Sequence, residues 1–428
     1  FCSMIKTILT NSVFNGYQNE FWIDAWHQTD IDGRFYIDIS RRLNPNRLSS
    51  RCEAKWSTPW DEQIWPGMEM PTYDPNFNKT FEEVTDNRAM DIFDGLRKGN
   101  KYAIMYSGGI DSTLIICSLI KNIGVKYLKN IAICTTSASI INNPVFWEKF
   151  ILGKFTIIDA SSNKYDDLIN QGYLPVTGDT GDCLFGTTFA SQLYYTWRQY
   201  TSSLSSNSIT EIENKIKYVT DPNIHYSTFK DLLILYFSIP KRPGYPFTGV
   251  KLPTEGFGER FYEKLDVHAK TAPIEINSLH DYFWWYIFNI KYVNCAKRGA
   301  VYFNDSPDDL EDIDNKIINW YHTDEYQLWS MCNNNNGDKI GNSAATYKQV
   351  ARDYIFDLDS NEAYYMFKLK IENVGLLYSR QNVTDVDTLQ RPNARFGVTD
   401  KFDMMYIDQK QTKEYIQNKL DSFIDGTT

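Results

Sequence analysis

The sequence predicts an α/β fold, a doubly wound parallel sheet with a helical C-terminal half and a small β-containing N-terminal region. Three patterns carry this expectation. Over residues 100–190, short apolar runs alternate with amphipathic or polar stretches, as buried parallel strands with crossovers do. From residue 190 onward, aromatic residues recur at three- and four-residue intervals, the period of helix core faces. The N-terminal stretch is rich in Trp, Tyr, Asn, Asp and Pro, with short β-like runs such as "RFYIDIS" set off by turn clusters such as "NPN".

Taken in order, "FEEVTDNRAMDIFDGLRKGN" from Phe81 has helical apolar spacing and ends in Lys, Gly and Asn, a C-terminal stop. Strand-like "YAIMY", helix-like "DSTLIICSLIKN", and strand-like "NIAICT", "FTIID" and "YLPVTG" follow. Beyond them "TFASQLYYTWRQY", "DLLILYF", "DYFWWYIFNIKYV", "DEYQLWSM" and "TYKQVARDYIF" read as helices whose aromatic stripes are core rather than cofactor boxes. Polar or Pro/Gly-rich breaks fall at 201–208, 240–256 and 333–338. The expected divisions are 1–80, a β-containing region; 81–190, an α/β core; and 191–428, a mainly helical region completing a site formed with that core.

Composition narrows the function classes. With 428 residues and 42% hydrophobic, the chain can bury a core without metal or disulfide support. Seven cysteines are odd in number and form no CxxC pair, and five histidines are scattered, so neither a disulfide framework nor a zinc site has local support. A net charge of −10 weighs against a nucleic-acid partner, whose phosphates demand a positive field. No apolar stretch is long enough for a membrane span; the densest, 282–293, contains Asn289 and Lys291. The start "FCSMIKTILTN" lacks the apolar segment and cleavage site of a secretory signal, so a cytoplasmic location is expected.

The chemistry is concentrated in "YAIMYSGGIDST", residues 102–113. A strand that ends in Ser-Gly-Gly and restarts as a helix places the loop at the carboxyl edge of the sheet, where open α/β folds bind ligands. Gly108 and Gly109 lack a Cβ and can take positive φ, so their N–H groups can approach phosphate oxygens, beside the positive end of the next helix. Ser107 and Ser112 add hydroxyl donors. Asp111 would repel a phosphate unless a cation lies between them, which suggests magnesium. An Asp helix cap after a Gly-Gly turn would give the same letters; the flanking strand and helix favour the cradle. Two other glycine stretches are ordinary turns: "GYPFTGVK" puts Val250 where a Walker loop needs Lys, and "GFGERF" follows no clear strand.

"SGGIDS" at 107–112 resembles the PP-loop of the N-type ATP pyrophosphatases, which split ATP between its α and β phosphates on an adenine nucleotide alpha hydrolase-like fold. A second segment, "PVTGDTGDCLFGTTFAS" at 175–191, is similar to the asparagine synthetase motif SGxGxDExFGG through Thr177, Gly178, Asp179, Asp182, Leu184, Phe185 and Gly186. It departs from that motif at Thr180-Gly181, at Cys183 in place of Glu, and at Thr187 in place of the second Gly. Nucleotide binding survives these changes more readily than acceptor specificity. A third segment, 321–355, resembles the synthetase stretch that supplies a lysine; Lys348 and Arg352 are i and i+4, on one face of an expected helix. The resemblance extends over 80–360 in arrangement and over some twenty residues by motif.

The resemblance implies an AMP- and pyrophosphate-forming carbon–nitrogen ligase with ATP and Mg2+ as cofactors. By it, Ser107, Gly108, Gly109 and Ser112 hold the leaving pyrophosphate, Asp111 and Asp182 are metal residues, and Thr177, Gly178 and Asp179 border AMP and the acyl group. Lys348 would meet the pyrophosphate or the transition-state oxyanion. The family's glutaminase domain is not expected in the 106 residues before Ser107, because "CSMIKT" after Phe1 lacks the Cys-Gly-Ile start. The implied partners are an acceptor carboxylate and ammonia or an amine, with a separate glutaminase as a possible supplier. Two other readings stand beside it: a degenerate nucleotide-binding or interaction protein, and a PP-loop enzyme that modifies nucleic acid or nucleobases.

Overall fold

In the computed structural model, the described residues are Arg51, 68–136, 139–140, 142–160, 165–186, 221, 223–238, 256–292, 295–296, 315–333 and 348–367. The run "RFYIDIS", the helix expected at "TFASQLYYTWRQY", the 201–208 break and "GYPFTGVK" lie outside them. Described residues 68–80 contain no strand.

The first long helix, α1 (Phe81–Arg97), follows from its cap. Thr80 Oγ1 accepts from the Glu83 N–H at 3.1 Å, and the Glu83 carboxylate accepts from the Thr80 N–H at 2.7 Å. This reciprocal box satisfies donors that a helix start leaves open. Then follow β1 (Lys101–Met105), α2 (Ile110–Asn122), α3 (Val125–Leu128), β2 (Ile131–Thr135), α4 (Pro144–Phe146, running into a π turn at Trp147–Ile151) and β3 (Thr156–Asp159). Next come α5 (Tyr165–Asn170), β4 (Tyr173–Thr177), α6 (Gly181–Phe185), α7 (Lys230–Ser238), α8 (Phe257–Ala269) and α9 (Leu279–Tyr286), the last running into a π turn at Ile287–Lys291. The described chain closes with β5 (Ile318–Asn319), α10 (Asp324–Cys332), α11 (Gln349–Asp359) and α12 (Glu362–Phe367). "GFGERF" opens α8, with Gly256 at φ 70 as its cap.

The chain divides into two compact units. The sheet unit comprises Thr85–Gly178, Tyr302–Trp320 and Val350–Thr428. Its five strands are all parallel, in the order β3-β2-β1-β4-β5. The four long strands are those expected from the sequence. The chain leaves β1 outward to β2 and β3, then returns to pair β4 on the other side of β1. The β1/β4 neighbourhood is therefore the point where strand order reverses, the crevice position in open α/β sheets. Strand β2 is buried along its whole length and β1 at its three central residues, so both read as nearly continuous apolar runs. Ala103, Ala132, Cys134, Ala160 and Leu168 form one packed cluster, small residues letting the chain lie close on the sheet.

The other unit comprises Phe1–Val84, Asp179–Val301 and Tyr321–Gln349. Its described core is aromatic. Phe81 and Phe185 meet edge to face at 5.5 Å, Trp329 packs on both, and Trp284 stacks on Phe288 at 4.9 Å. Such rings bury large areas and prefer offset or edge contacts. The expected stripes of "DYFWWYIFNIKYV" and "DEYQLWSM" are thus core faces. Among the described residues no helix is long and apolar enough to cross a membrane.

Candidate functional site

In the sheet unit, β1 ends by pairing: the Tyr106 N–H donates to Cys134 O at 2.9 Å, and the Thr135 hydroxyl donates to Tyr106 O at 3.0 Å. The loop proper begins at Ser107. Its carbonyls are held one after another. Asn142 Nδ2 donates to Ser107 O at 2.9 Å, Tyr364 Oη to Gly108 O at 3.1 Å, and the Thr113 N–H and Ser112 Oγ to Gly109 O at 2.9 and 3.2 Å. Four successive carbonyl oxygens, 106 through 109, are therefore occupied by protein donors. An anion approaching the loop would not face their lone pairs.

Ser107 and Ser112 knit the turn, with their hydroxyls 3.1 Å apart and the Ser107 N–H donating to Ser112 Oγ at 3.1 Å. Gly108 has φ 66, and a Cβ there would lie 2.4 Å from Ser139 O and 2.6 Å from Asn142 Cβ. Both the left-handed backbone and the close approach of Ser139 and Asn142 require glycine. Gly109 differs from expectation: at φ −78 and ψ 165 it is extended, and it caps α2 without a side-chain bond. Its absent Cβ leaves room instead, since that atom would meet only Ser107 Oγ at 3.1 Å. The N–H groups of Ile110, Asp111 and Ser112 form the first turn of α2, where a helix has no internal acceptors. They add the positive end of the helix dipole.

Asp111 is the second residue of α2, so it is not the helix cap. The end of β4 comes alongside it: a Cβ on Gly178 would lie 3.1 Å from Asp111 Cβ. Thr177, the last residue of β4, is buried, and its carbonyl accepts from the Trp320 N–H at 2.8 Å. The sheet unit thus brings Ser107, Gly108, Gly109, Asp111, Ser112, Thr177 and Gly178 together at the carboxyl ends of β1 and β4. Beneath the loop, burial pushes the phenols of Tyr106 and Tyr364 well above their ordinary range, so both stay protonated.

Asp179, Asp182 and Lys348 belong to the other unit. Asp179 lies in the turn before α6, and Asp182 sits exposed in the helix's first turn. That helix is anchored from below: Ser330 Oγ donates to Leu184 O at 2.7 Å while accepting from Trp284 Nε1 at 2.9 Å. Gly186 ends it at φ 75, its missing Cβ facing Trp284 at 3.4 Å. Lys348 Nζ lies 2.8 Å from Asp182 Oδ1 and 5.4 Å from the Phe185 ring centroid. The lysine side chain is only 3% exposed, the aspartate 54%.

The helical placement expected for Lys348 is not what the structure has. Helix α11 starts at Gln349, and Lys348 precedes it at φ 59, one of two non-glycine residues with positive φ among the described residues. Lys348 and Arg352 therefore do not form an i, i+4 pair on one face. Arg352 is buried, donating to Tyr365 O within the sheet unit. A bulky residue held in the left-handed region marks local strain that the surroundings must enforce, and such outliers cluster at functional positions. Cys183, which stands where the synthetase motif has Glu, is wholly buried, and burial raises its thiol far above the usual range. It serves packing.

Two residues that hold the loop, Asn142 and Tyr364, and one that crowds Gly108, Ser139, are not marked in the sequence. Asn142 could be approached through the Asn-Asn-Pro turn signal, but nothing local marks Tyr364, which lies more than 250 residues from Gly108. Among the described residues no group of three or more His, Cys, Asp or Glu side chains could hold a metal unaided. Comparison with protein-family models, with curated proteins and with solved structures finds no match to this chain.

Proposed function

We propose that the chain binds ATP at the 107–112 loop on a doubly wound, nucleotide-binding sheet, and that it is an AMP- and pyrophosphate-forming carbon–nitrogen ligase. One observation carries the nucleotide part: every carbonyl from Tyr106 to Gly109 is engaged by a protein donor. The Ser107 and Gly109 N–H groups are engaged within the turn by Ser112 Oγ and Ser107 Oγ, so what the loop offers an anion is the Gly108 N–H and the positive end of α2, at the strand-order reversal. The ligase part rests on the resemblance of SGGIDS and of 175–191 to the synthetase motifs. Asp111 fits magnesium, which is commonly held by one or two carboxylates plus substrate phosphate oxygens rather than by an all-protein cage. When bound, the ion would offset charge on the leaving pyrophosphate.

In this reading an acceptor carboxylate oxygen attacks the α-phosphorus, the bond to the β-phosphate oxygen breaks, and an acyl-adenylate and pyrophosphate form. Ammonia or an amine then attacks the acyl carbon, AMP departs and the amine loses a proton. The loop's contribution is positioning and fixed dipoles aimed at the leaving group. The resemblance assigns Asp182 and Lys348 to pyrophosphate departure and Asp179 to the acyl-adenylate. The charge balance of the chain agrees with small-molecule partners.

ATP–pyrophosphate exchange across a panel of carboxylic acids tests this. Exchange that needs an acceptor and is lost in Asp111→Ala is the expected result. Cys183 favours a second reading: a buried thiol stands where the motif carries a carboxylate, leaving a nucleotide-binding protein without ligation. Tight ATP binding with no AMP formed from any acceptor and amine would decide for that second reading.

A further inference from the structure

The loop carbonyls of Tyr106, Ser107 and Gly109 are held by Thr135, Asn142, Ser112 and Thr113, all within the β1–β3 stretch. Gly108 is the exception. Its carbonyl is held by Tyr364, a residue of α12. We propose that Tyr364 is a positioning residue of the phosphate loop: its hydroxyl fixes the Gly108 carbonyl inward, so the loop binds a nucleotide phosphate at full strength only with α12 docked. This rests on the reading of 107–112 as an ATP site.

The hydroxyl has two partners. It lies 3.1 Å from Gly108 O and 3.2 Å from Thr113 Oγ1, both buried contacts. A phenol has one proton and accepts as well, so it can donate to the carbonyl while the threonine hydroxyl donates to it. Gly108 is the pivot of the turn: at φ 66 it sets which way the next amide plane faces. The N–H of the same peptide, that of Gly109, donates to Ser107 Oγ at 3.3 Å, so releasing the carbonyl lets the peptide rotate, breaks that bond and turns an oxygen toward the ligand side of the loop. Glycine, lacking a Cβ, offers little resistance to such a rotation.

The tyrosine is itself held in place. After α11, Ser360 takes φ 52, Asp359 Oδ1 accepts from the Asn361 N–H at 2.9 Å, and Asn361 Oδ1 accepts from the Tyr364 N–H at 3.1 Å. Lys149 Nζ donates to Asp359 O at 3.2 Å, tying the turn to the segment before β3. Two successive side-chain caps therefore fix the start of α12 and the register of Tyr364. Because it touches Gly108 and Thr113, its effect on a ligand passes through the loop.

The test compares Tyr364→Phe, Thr113→Val and Thr113→Ser with the unaltered full chain, measuring equilibrium binding of ATP and of adenosine together with the unfolding midpoint. Tyr364→Phe is expected to weaken ATP by about three- to tenfold, the worth of one hydrogen bond. Adenosine, which has no phosphates, should bind unchanged. Thr113→Val should shift ATP in the same direction, and Thr113→Ser should restore it. Equal ATP affinity in Tyr364→Phe and the unaltered chain overturns the proposal, as does an equal loss for adenosine. If Tyr364→Phe fails to fold, Thr113→Val decides, and unchanged ATP binding in it overturns the proposal. An unaltered chain that binds neither ligand overturns instead the assignment of the loop to ATP.

Discussion

Lys348 Nζ and Asp182 Oδ1 lie 2.8 Å apart with very unequal exposure, 3% for the lysine side chain and 54% for the aspartate. The pair is therefore asymmetric. Removing the aspartate takes the counter-charge from a buried ammonium, whereas removing the lysine returns a carboxylate to water. The positive φ of Lys348 adds a second asymmetry, because the lysine pays steric strain that glycine would not.

For this pair Asp182→Asn is expected to destabilise the chain more than Lys348→Met does, by about 1–2 kcal/mol in urea unfolding, since only the first takes a paired carboxylate away from a desolvated charge. Lys348→Gly should be more stable than Lys348→Met by about 1 kcal/mol, from relief of the left-handed backbone. Equal losses for Asp182→Asn and Lys348→Met would show that the ammonium is solvated in practice.

The two loop glycines should separate in the same kind of experiment. An alanine Cβ at Gly108 would meet Ser139 O at 2.4 Å and Asn142 Cβ at 2.6 Å on a left-handed backbone, so Gly108→Ala should cost at least about 2 kcal/mol. Gly109→Ala meets only Ser107 Oγ, at 3.1 Å, on an extended backbone. It should leave the unfolding midpoint nearly unchanged while narrowing the space above the loop. If both variants unfold alike, backbone strain is not what the Gly-Gly pair is for.

Local pattern reached most of this sheet and little of what braces the loop. Ile131–Thr135 is an apolar run without alternation because both faces of β2 are covered, and such a run is legible in one dimension. Ser-Gly-Gly before a helical period is legible for the same reason. Lys348 escapes the pattern because a helical period does not announce its first residue: the lysine stands just before the start of α11, where tertiary packing imposes a left-handed turn. Strand β5, only two residues long, has no periodicity to detect. Tyr364 and Asn142 reach the loop through tertiary contacts, and their own segments carry no motif.

Arg51 is another residue that sequence spacing could not place. It is 9% exposed, yet its guanidinium donates to Met68 O, Phe288 O, Glu69 O and the Gln327 side chain, and lies 3.9 Å from the Tyr292 ring centroid. Phe288 sits in the π turn that follows α9, where the wider hydrogen-bond register changes which carbonyls the helix itself can satisfy. A planar fork with five N–H donors on three nitrogens reaches these four spread acceptors at once; an ammonium has three donors on a single nitrogen. Arg51→Lys is therefore expected to lower stability by about 2–3 kcal/mol, and Arg51→Met by at least as much, because acceptors that met a charged donor lose it. Thermal unfolding of the two variants checks this, and a lysine variant as stable as the parent would mean that the charge matters and the fork does not.

His268 gives the chain a defined pH dependence. The ring is 1% exposed and stacks on Trp285 at 5.7 Å, while its backbone carbonyl accepts from Trp285 Nε1 at 3.0 Å. Burial lowers its pKa from 6.5 to about 3, since the imidazolium would lose its hydration. In the unfolded chain the ring takes up a proton as pH falls through 6.5, but in the folded chain it does not until about 3. The unfolded state therefore binds more protons across that interval, and stability should fall as pH drops below about 6.5. Urea midpoints taken between about pH 7.5 and pH 5 should decline, and His268→Gln should reduce the decline to the share carried by His280, whose pKa burial also lowers, to about 4. The window lies mostly above the ordinary carboxylate range, which separates the two histidines, His268 and His280, from acid unfolding. An identical slope in His268→Gln would place the pH sensitivity on other groups.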